Sequence, residues 1–152
     1  MTYLLDTDTL IFMIRGLKRS EARGEWERER LDRARRIVRH CQEAQAAGHE
    51  IALSSITVAE LEYGAQRSGH YGREIAAVRK ILAPFVARDF DATHAARHYG
   101  EARHGLEAAR VSVGAMDLLI AGHALALDAT LITNNLAHFG RIPDLRCENW
   151  SA

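Results

Sequence analysis

Apolar and polar positions along this chain alternate between two periods. Short apolar runs at Tyr3-Leu4-Leu5, Ile51-Ala52-Leu53 and Leu131-Ile132 stop abruptly on polar residues, the pattern of buried strands. They predict strands over 3–5, 50–54 and 130–132, joined by a short one over 85–90 and a last one within 146–150. Between them, apolar residues recur at three- and four-residue steps. Helices are therefore expected over 7–15, 55 to about 64–69, 71–83, from about 91–93 to 110, 118–127 and 136–139. Strands alternating with helices favour a parallel sheet covered on both faces. In such a sheet, right-handed crossovers bring every strand-to-helix junction to one edge.

The segment 17–48 breaks this rhythm. Eight arginines between Arg19 and Arg39 alternate with Glu21, Glu25, Glu27, Glu29 and Asp32. Beyond Trp26, Leu31, Ala34, Ile37, Val38, Cys41, Ala44 and Ala47 form a narrow apolar stripe. This reads as one long amphipathic helix, with residues 18–24 as a loop at its start. Its arginine face is either a solvated surface laced with i,i+4 ion pairs or a surface for RNA.

Composition bounds the class. At 152 residues, 47% of them apolar, the chain supports one domain spanning 1–152 with one sizeable core. The formal net charge is zero, so any nucleic-acid surface must be a local basic face. Cys41 and Cys147 have no metal-type spacing and read as reduced thiols of a cytoplasmic protein. No signal peptide or membrane span is expected.

Candidate chemistry lies at the junctions. Asp6 ends the first strand. Glu60 follows the second strand by about one helical turn, although Thr57 and Glu60 also fit a capping box. Asp117 is the lone charge at the start of an apolar helix, where an unpaired buried carboxylate is costly. Thr133 to Asn135 end the fourth strand. Three carboxylates converging on one edge repel each other, and a divalent cation relieves this. Hard oxygen donors without thiolate point to Mg²⁺ or Mn²⁺, a site suited to phosphodiester hydrolysis. Glu62 lies about 200° round the helix from Glu60, so the two cannot share the site; Glu60 is the one chosen. His94, His98 and His104 lack the companion residues of a zinc motif and read as surface or partly buried polar groups.

Taken in order, Leu4-Leu5-Asp6-Thr7-Asp8, Ile56-Thr57-Val58-Ala59-Glu60-Leu61-Glu62-Tyr63-Gly64, Gly114-Ala115-Met116-Asp117-Leu118-Leu119-Ile120-Ala121 and Leu131-Ile132-Thr133-Asn134-Asn135-Leu136-Ala137-His138-Phe139, with a closing Glu148-Asn149-Trp150, the chain resembles a PIN-domain ribonuclease of the VapC toxin type from end to end. The resemblance implies a three-layer α/β/α sandwich and an Mg²⁺-dependent endoribonuclease, with Mn²⁺ as a substitute. It also implies a homodimer, and a cognate antitoxin that inhibits it within a type II pair. Family roles carried onto this chain make Asp6, Glu60 and Asp117 the catalytic, metal-holding acids, with Thr7, Thr133 and Asn135 supporting them or orienting substrate. Many PIN domains carry a fourth acid where this chain has Asn135, which leaves one ion or two open. Rival readings are a housekeeping nuclease acting on DNA or structured RNA, and a catalytically inactive PIN-fold binding module.

Overall fold

In the computed structural model, which describes residues 1–18 and 23–152, the chain runs β1 (Thr2–Leu5), α1 (Thr7–Leu17), α2 (Glu25–Ala46), β2 (Glu50–Ser54), α3 (Ser55–Arg67), α4 (Tyr71–Leu82), β3 (Val86–Arg88), α5 (His94–Ala108), α6 (Ala115–Ala126), β4 (Thr130–Ile132), α7 (Leu136–Phe139) and β5 (Cys147–Glu148). The expected loop at 18–24 falls partly on residues 19–22, outside the described residues. The five strands form one sheet in the order β3-β2-β1-β4-β5. All four pairings are parallel, with Leu4 opposite both Ala52 and Leu131. The parallel α/β fold is therefore as expected, and β1 is its middle strand.

Successive side chains of a strand point to opposite faces, so adjacent leucines of β1 serve two cores. Leu5 joins Leu10, Met13, Ile37, Leu53, Leu61 and Trp150 under α1, α2 and α3. Leu4 joins Leu118, Ile120, Ala124, Leu131 and Phe139 under α6. Both leucines are fully buried. α5 lies against α6 closely enough that a Cβ at Gly122 would stand 2.8 Å from the Tyr99 backbone nitrogen and Cα. β3 is one of the two edge strands, with β5 at the other edge, and all three of its residues are exposed. The buried residues of α2 are Leu31, Ala34, Ile37 and Cys41, the expected stripe.

Several local expectations are corrected. The N-cap of α1 is Asp6, its carboxylate accepting from the Thr9 N–H at 2.7 Å, so the candidate acid also starts the helix. α3 is capped by Ser54, whose hydroxyl accepts from the Ile56 N–H at 3.1 Å, so Thr57 and Glu60 form no capping box. The helix starts at Ser55, so Thr57 already lies within its first turn, and the Thr57 hydroxyl is turned to Thr7 instead. α6 begins at Ala115, so Asp117 sits in its first turn. The last strand is only two residues long.

Candidate active site

The C-terminal ends of β1, β2 and β4 open on one side of the sheet, where α1, α3 and α7 start. The Asp6 backbone N–H continues the ladder by donating to the Ile132 carbonyl at 3.0 Å, which fixes the acid beside the end of β4. Its side chain is 4% exposed. Burial raises its pKa above the usual carboxylate value. The Thr133 hydroxyl and the Thr9 N–H act against that rise, and the nearby Asp8 charge adds to it. No basic side chain is among these influences. Asp6 is thus a buried acid held by a hydrogen bond from the chain itself and without an ion-pair partner among the described residues.

Thr7 extends this corner to α3. Its hydroxyl donates to Glu60 Oε1 at 2.7 Å and lies 3.0 Å from the Thr57 hydroxyl. A hydroxyl has one proton. With that proton on Glu60, Thr7 accepts from Thr57, and the three groups form a directed relay ending on the carboxylate. Thr57 is completely buried and Glu60 is half-buried. Glu62 faces away: it accepts from the Tyr71 hydroxyl at 2.7 Å and from Arg79 at 3.5 Å, both on α4.

On the other side, Asn135 caps α7. Its backbone N–H donates to the Thr133 hydroxyl at 3.0 Å and its side-chain oxygen accepts from the His138 N–H at 3.3 Å. The Asn135 side-chain oxygen thus serves as the cap of this helix. His138 Nε2 in turn meets Asp117 Oδ2 at 3.0 Å. Asp117 is 41% exposed, more open than its apolar neighbours suggested, because it lies in the first turn before the helix enters the core. His138 is the residue that sequence reasoning missed. Its only signal is its position three residues after a capping asparagine at a strand-to-helix junction.

Each acid is therefore held separately at its junction: Glu60 by Thr7, which follows Asp6 in the chain, Asp6 by the Thr9 N–H, and Asp117 by His138 from the helix that Asn135 caps. Among the described residues, no three His, Cys, Asp or Glu side chains close on one point as an ion would require. The donor set nonetheless suits a hard cation. It consists of carboxylate oxygens around a buried acid without an ion-pair partner among the described residues, and the side-chain oxygen of Asn134, next to Thr133, is buried without a hydrogen-bond partner. Cys147, on β5, is not part of this chemistry: burial, with the Asp6 charge second, pushes its thiol up to about 11. His94 pairs with Asp91 on the surface, away from any such group.

The arginines of α2 are largely engaged in packing. Arg30 lies 4.8 Å over the Trp26 ring, and Arg33 lies 5.3 Å over Phe12. Arg33 and Arg36 also hold Ser151 near the C-terminal end. These contacts favour a structural role for that part of the face. Arg35 and Arg39 remain exposed.

The PIN domain family profile matches residues 3–145. The chain is 36% identical to the tRNA(fMet)-specific endonuclease VapC of Salmonella typhimurium, over 99% of this chain and 98% of that protein. It is 43% identical to Ribonuclease VapC2 of Rickettsia felis over 71% of this chain and 80% of that protein. A chain of VapBC2 from Rickettsia felis, solved bound to a DNA fragment from their promoter, superposes with a TM-score of 0.80 at 34% identity, covering 99% of both chains. A chain of DNA-bound VapBC from Salmonella typhimurium gives 0.80 at 33% identity, covering 99% of this chain and 98% of that one.

Proposed function

This chain belongs to the PIN-domain family, among its VapC ribonucleases, and from that premise we propose that it is a divalent-cation-dependent endoribonuclease acting as the toxin of a type II toxin–antitoxin pair. The observation that carries the reading is that Asp6, Glu60 and Asp117 all stand at strand-to-helix junctions, each held there by a hydrogen bond from Thr9, Thr7 or His138. Its support beyond the site is the end-to-end similarity to ribonucleases and to VapBC assemblies.

Asp6 and Asp117, with Glu60, would hold the cation, Mg²⁺ first and Mn²⁺ as a substitute, since all three offer hard oxygens. When bound, such an ion supplies charge that polarises a phosphoryl oxygen and acidifies water. The remaining work belongs to the side chains. The hydrogen bond from the Thr9 N–H holds the Asp6 carboxylate at the strand end. Thr7 engages Glu60 Oε1 and leaves Oε2 to take a proton from the attacking water. His138 fixes the rotamer of Asp117 through Oδ2. The partners are RNA, a second copy of the chain and a cognate antitoxin, in the cytoplasm; no helix among the described residues is long and apolar enough to cross a membrane.

The test is cleavage of RNA by the purified protein with Mg²⁺ or Mn²⁺, repeated with chelator, beside induced expression in cells of the wild type and Asp117→Asn. Cation-dependent cleavage and growth arrest by the wild type alone are expected. A wild type that cleaves no RNA and is as harmless as Asp117→Asn overturns the reading.

A further inference from the structure

Beside Glu60 the surface falls into an open groove of about 970 Å³ that leads away from the acids between α1 and α3. Its walls carry Arg15 from α1 and Tyr63 and Arg67 from α3, with Met116, next to Asp117, at the end nearest the acids. Glu60, Tyr63 and Arg67 follow one face of α3 at intervals of three and four residues, so Arg67 lies about 10 Å along the axis from Glu60 at ~1.5 Å per residue. Tyr63 is 65% exposed and Met116 44% exposed, large apolar surfaces that the fold itself leaves uncovered.

The charges on these walls are asymmetric. Glu60 is engaged by Thr7, and Glu74, also on the lining, pairs with Lys18. Arg15 and Arg67 are exposed and have no ion-pair or hydrogen-bond partner among the described residues. The floor is bare as well. A Cβ built at Gly64 meets nothing within 4 Å, so an alanine would fit there, yet a helix-interior position is held by the residue that costs about 1 kcal/mol of helix stability. The omitted side chain leaves backbone open between the tyrosine and the acid.

We propose that this groove holds the single-stranded RNA on one side of the scissile bond, with Arg15 and Arg67 each taking a phosphate and Tyr63 stacking on a base. Unpaired guanidinium groups match phosphate charge and geometry, and an exposed aromatic ring beside them is the usual platform for an unstacked base. Continuity with Glu60 and Met116 brings the strand to the acids. This assignment rests on the ribonuclease reading and adds to it how substrate is held.

The experiment measures binding of a labelled single-stranded oligoribonucleotide of mixed sequence in chelator, where no cleavage intervenes, over a series of salt concentrations. Wild type, Arg15→Gln/Arg67→Gln and Tyr63→Ala are compared, with Arg35→Gln/Arg39→Gln on α2, which contributes no residue to the groove lining, as a control. Losing two phosphate contacts should flatten the slope of log affinity against log salt by about 1.4, at ~0.7 per contact for single strands. Tyr63→Ala should lose roughly tenfold in affinity at every salt concentration with its slope intact. Variants that bind RNA as the wild type does, while wild type still cleaves RNA with Mg²⁺, overturn the groove assignment alone. Loss of antitoxin binding in these variants with RNA binding intact also overturns it, in favour of a protein tail in the groove. A wild type that neither binds nor cleaves RNA overturns the ribonuclease reading with it.

Discussion

The relay from Thr57 through Thr7 to Glu60 makes a quantitative demand on stability. Replacing Thr7 with valine keeps the side-chain shape but removes both hydrogen bonds. The Thr57 hydroxyl, completely buried, then has no acceptor, which costs about 1–3 kcal/mol. The lost bond to Glu60 adds less, about 0.5–1 kcal/mol, because a half-buried carboxylate recovers water. Replacing Thr57 instead leaves Thr7 still donating to Glu60, and costs only about 0.5–1.5 kcal/mol. In the double variant no buried hydroxyl is stranded, so its loss should fall short of the two single losses together by at least about 1 kcal/mol. Urea denaturation of wild type, Thr7→Val, Thr57→Val and the pair measures this coupling directly. At ~2–4 °C per kcal/mol in a domain of this size, it is also visible in Tm. Losses that add within ~0.5 kcal/mol, or a Thr57→Val variant damaged as much as Thr7→Val, would refute the direction assigned to the relay.

Three further outcomes follow from the same structure. In chelator, Asp6→Asn should raise Tm, since asparagine still caps α1 while the buried charge is gone. Because burial raises the Asp6 pKa, the wild-type protein is most favoured with this group protonated and loses that stability as pH rises through the raised value. The advantage of Asp6→Asn should therefore be greatest near neutrality and vanish in acid; a constant advantage would contradict the assigned cause. His123, completely buried against Ser54 at 2.8 Å, has its pKa lowered, mainly by burial, from the usual 6.5. The unfolded chain then binds the proton more readily, so stability should fall as pH drops below about 6.5, and His123→Gln should flatten that decline in denaturation midpoints. Gly122→Ala forces a Cβ to within 2.8 Å of the Tyr99 backbone and should cost about 1–3 kcal/mol, read as a lower Tm; a neutral outcome would mean that α5 moves freely on α6.

The parts of this protein that depend on local apolar pattern were legible in its sequence. Leu4-Leu5, Ile51-Ala52-Leu53 and Leu131-Ile132 are fully or nearly fully buried, and the strands they form lie side by side. Ends were less legible for a specific reason. At Asp6-Thr7-Asp8 and at Ser54 to Thr57 several neighbouring oxygens could cap a helix, and only the chain direction leaving the sheet decides which one faces the free N–H groups. Contacts between distant segments were not legible at all. The Thr7 bond to Glu60 spans 53 positions, the Ser54 bond to His123 spans 69, and the His138 bond to Asp117 spans 21. Residue type and junction position marked the acids as candidates, whereas the side chains that hold them became visible only once the junctions stood together. The arginines of α2 could be read from sequence as a solvated face or as a surface for RNA; Arg30, Arg33 and Arg36 are in contact with this chain's own rings and its C-terminal end, which only the folded chain shows.

The most direct measurement of whether Asp6, Glu60 and Asp117 act as one cation site is a calorimetric titration of Mn²⁺ into the wild type, Asp6→Asn, Asp117→Asn and Glu62→Gln. Strong loss of binding is expected in the first two variants and none in Glu62→Gln, whose carboxylate is turned toward Tyr71 and Arg79. Unchanged Mn²⁺ affinity in both aspartate variants would contradict a cation site at this edge of the sheet.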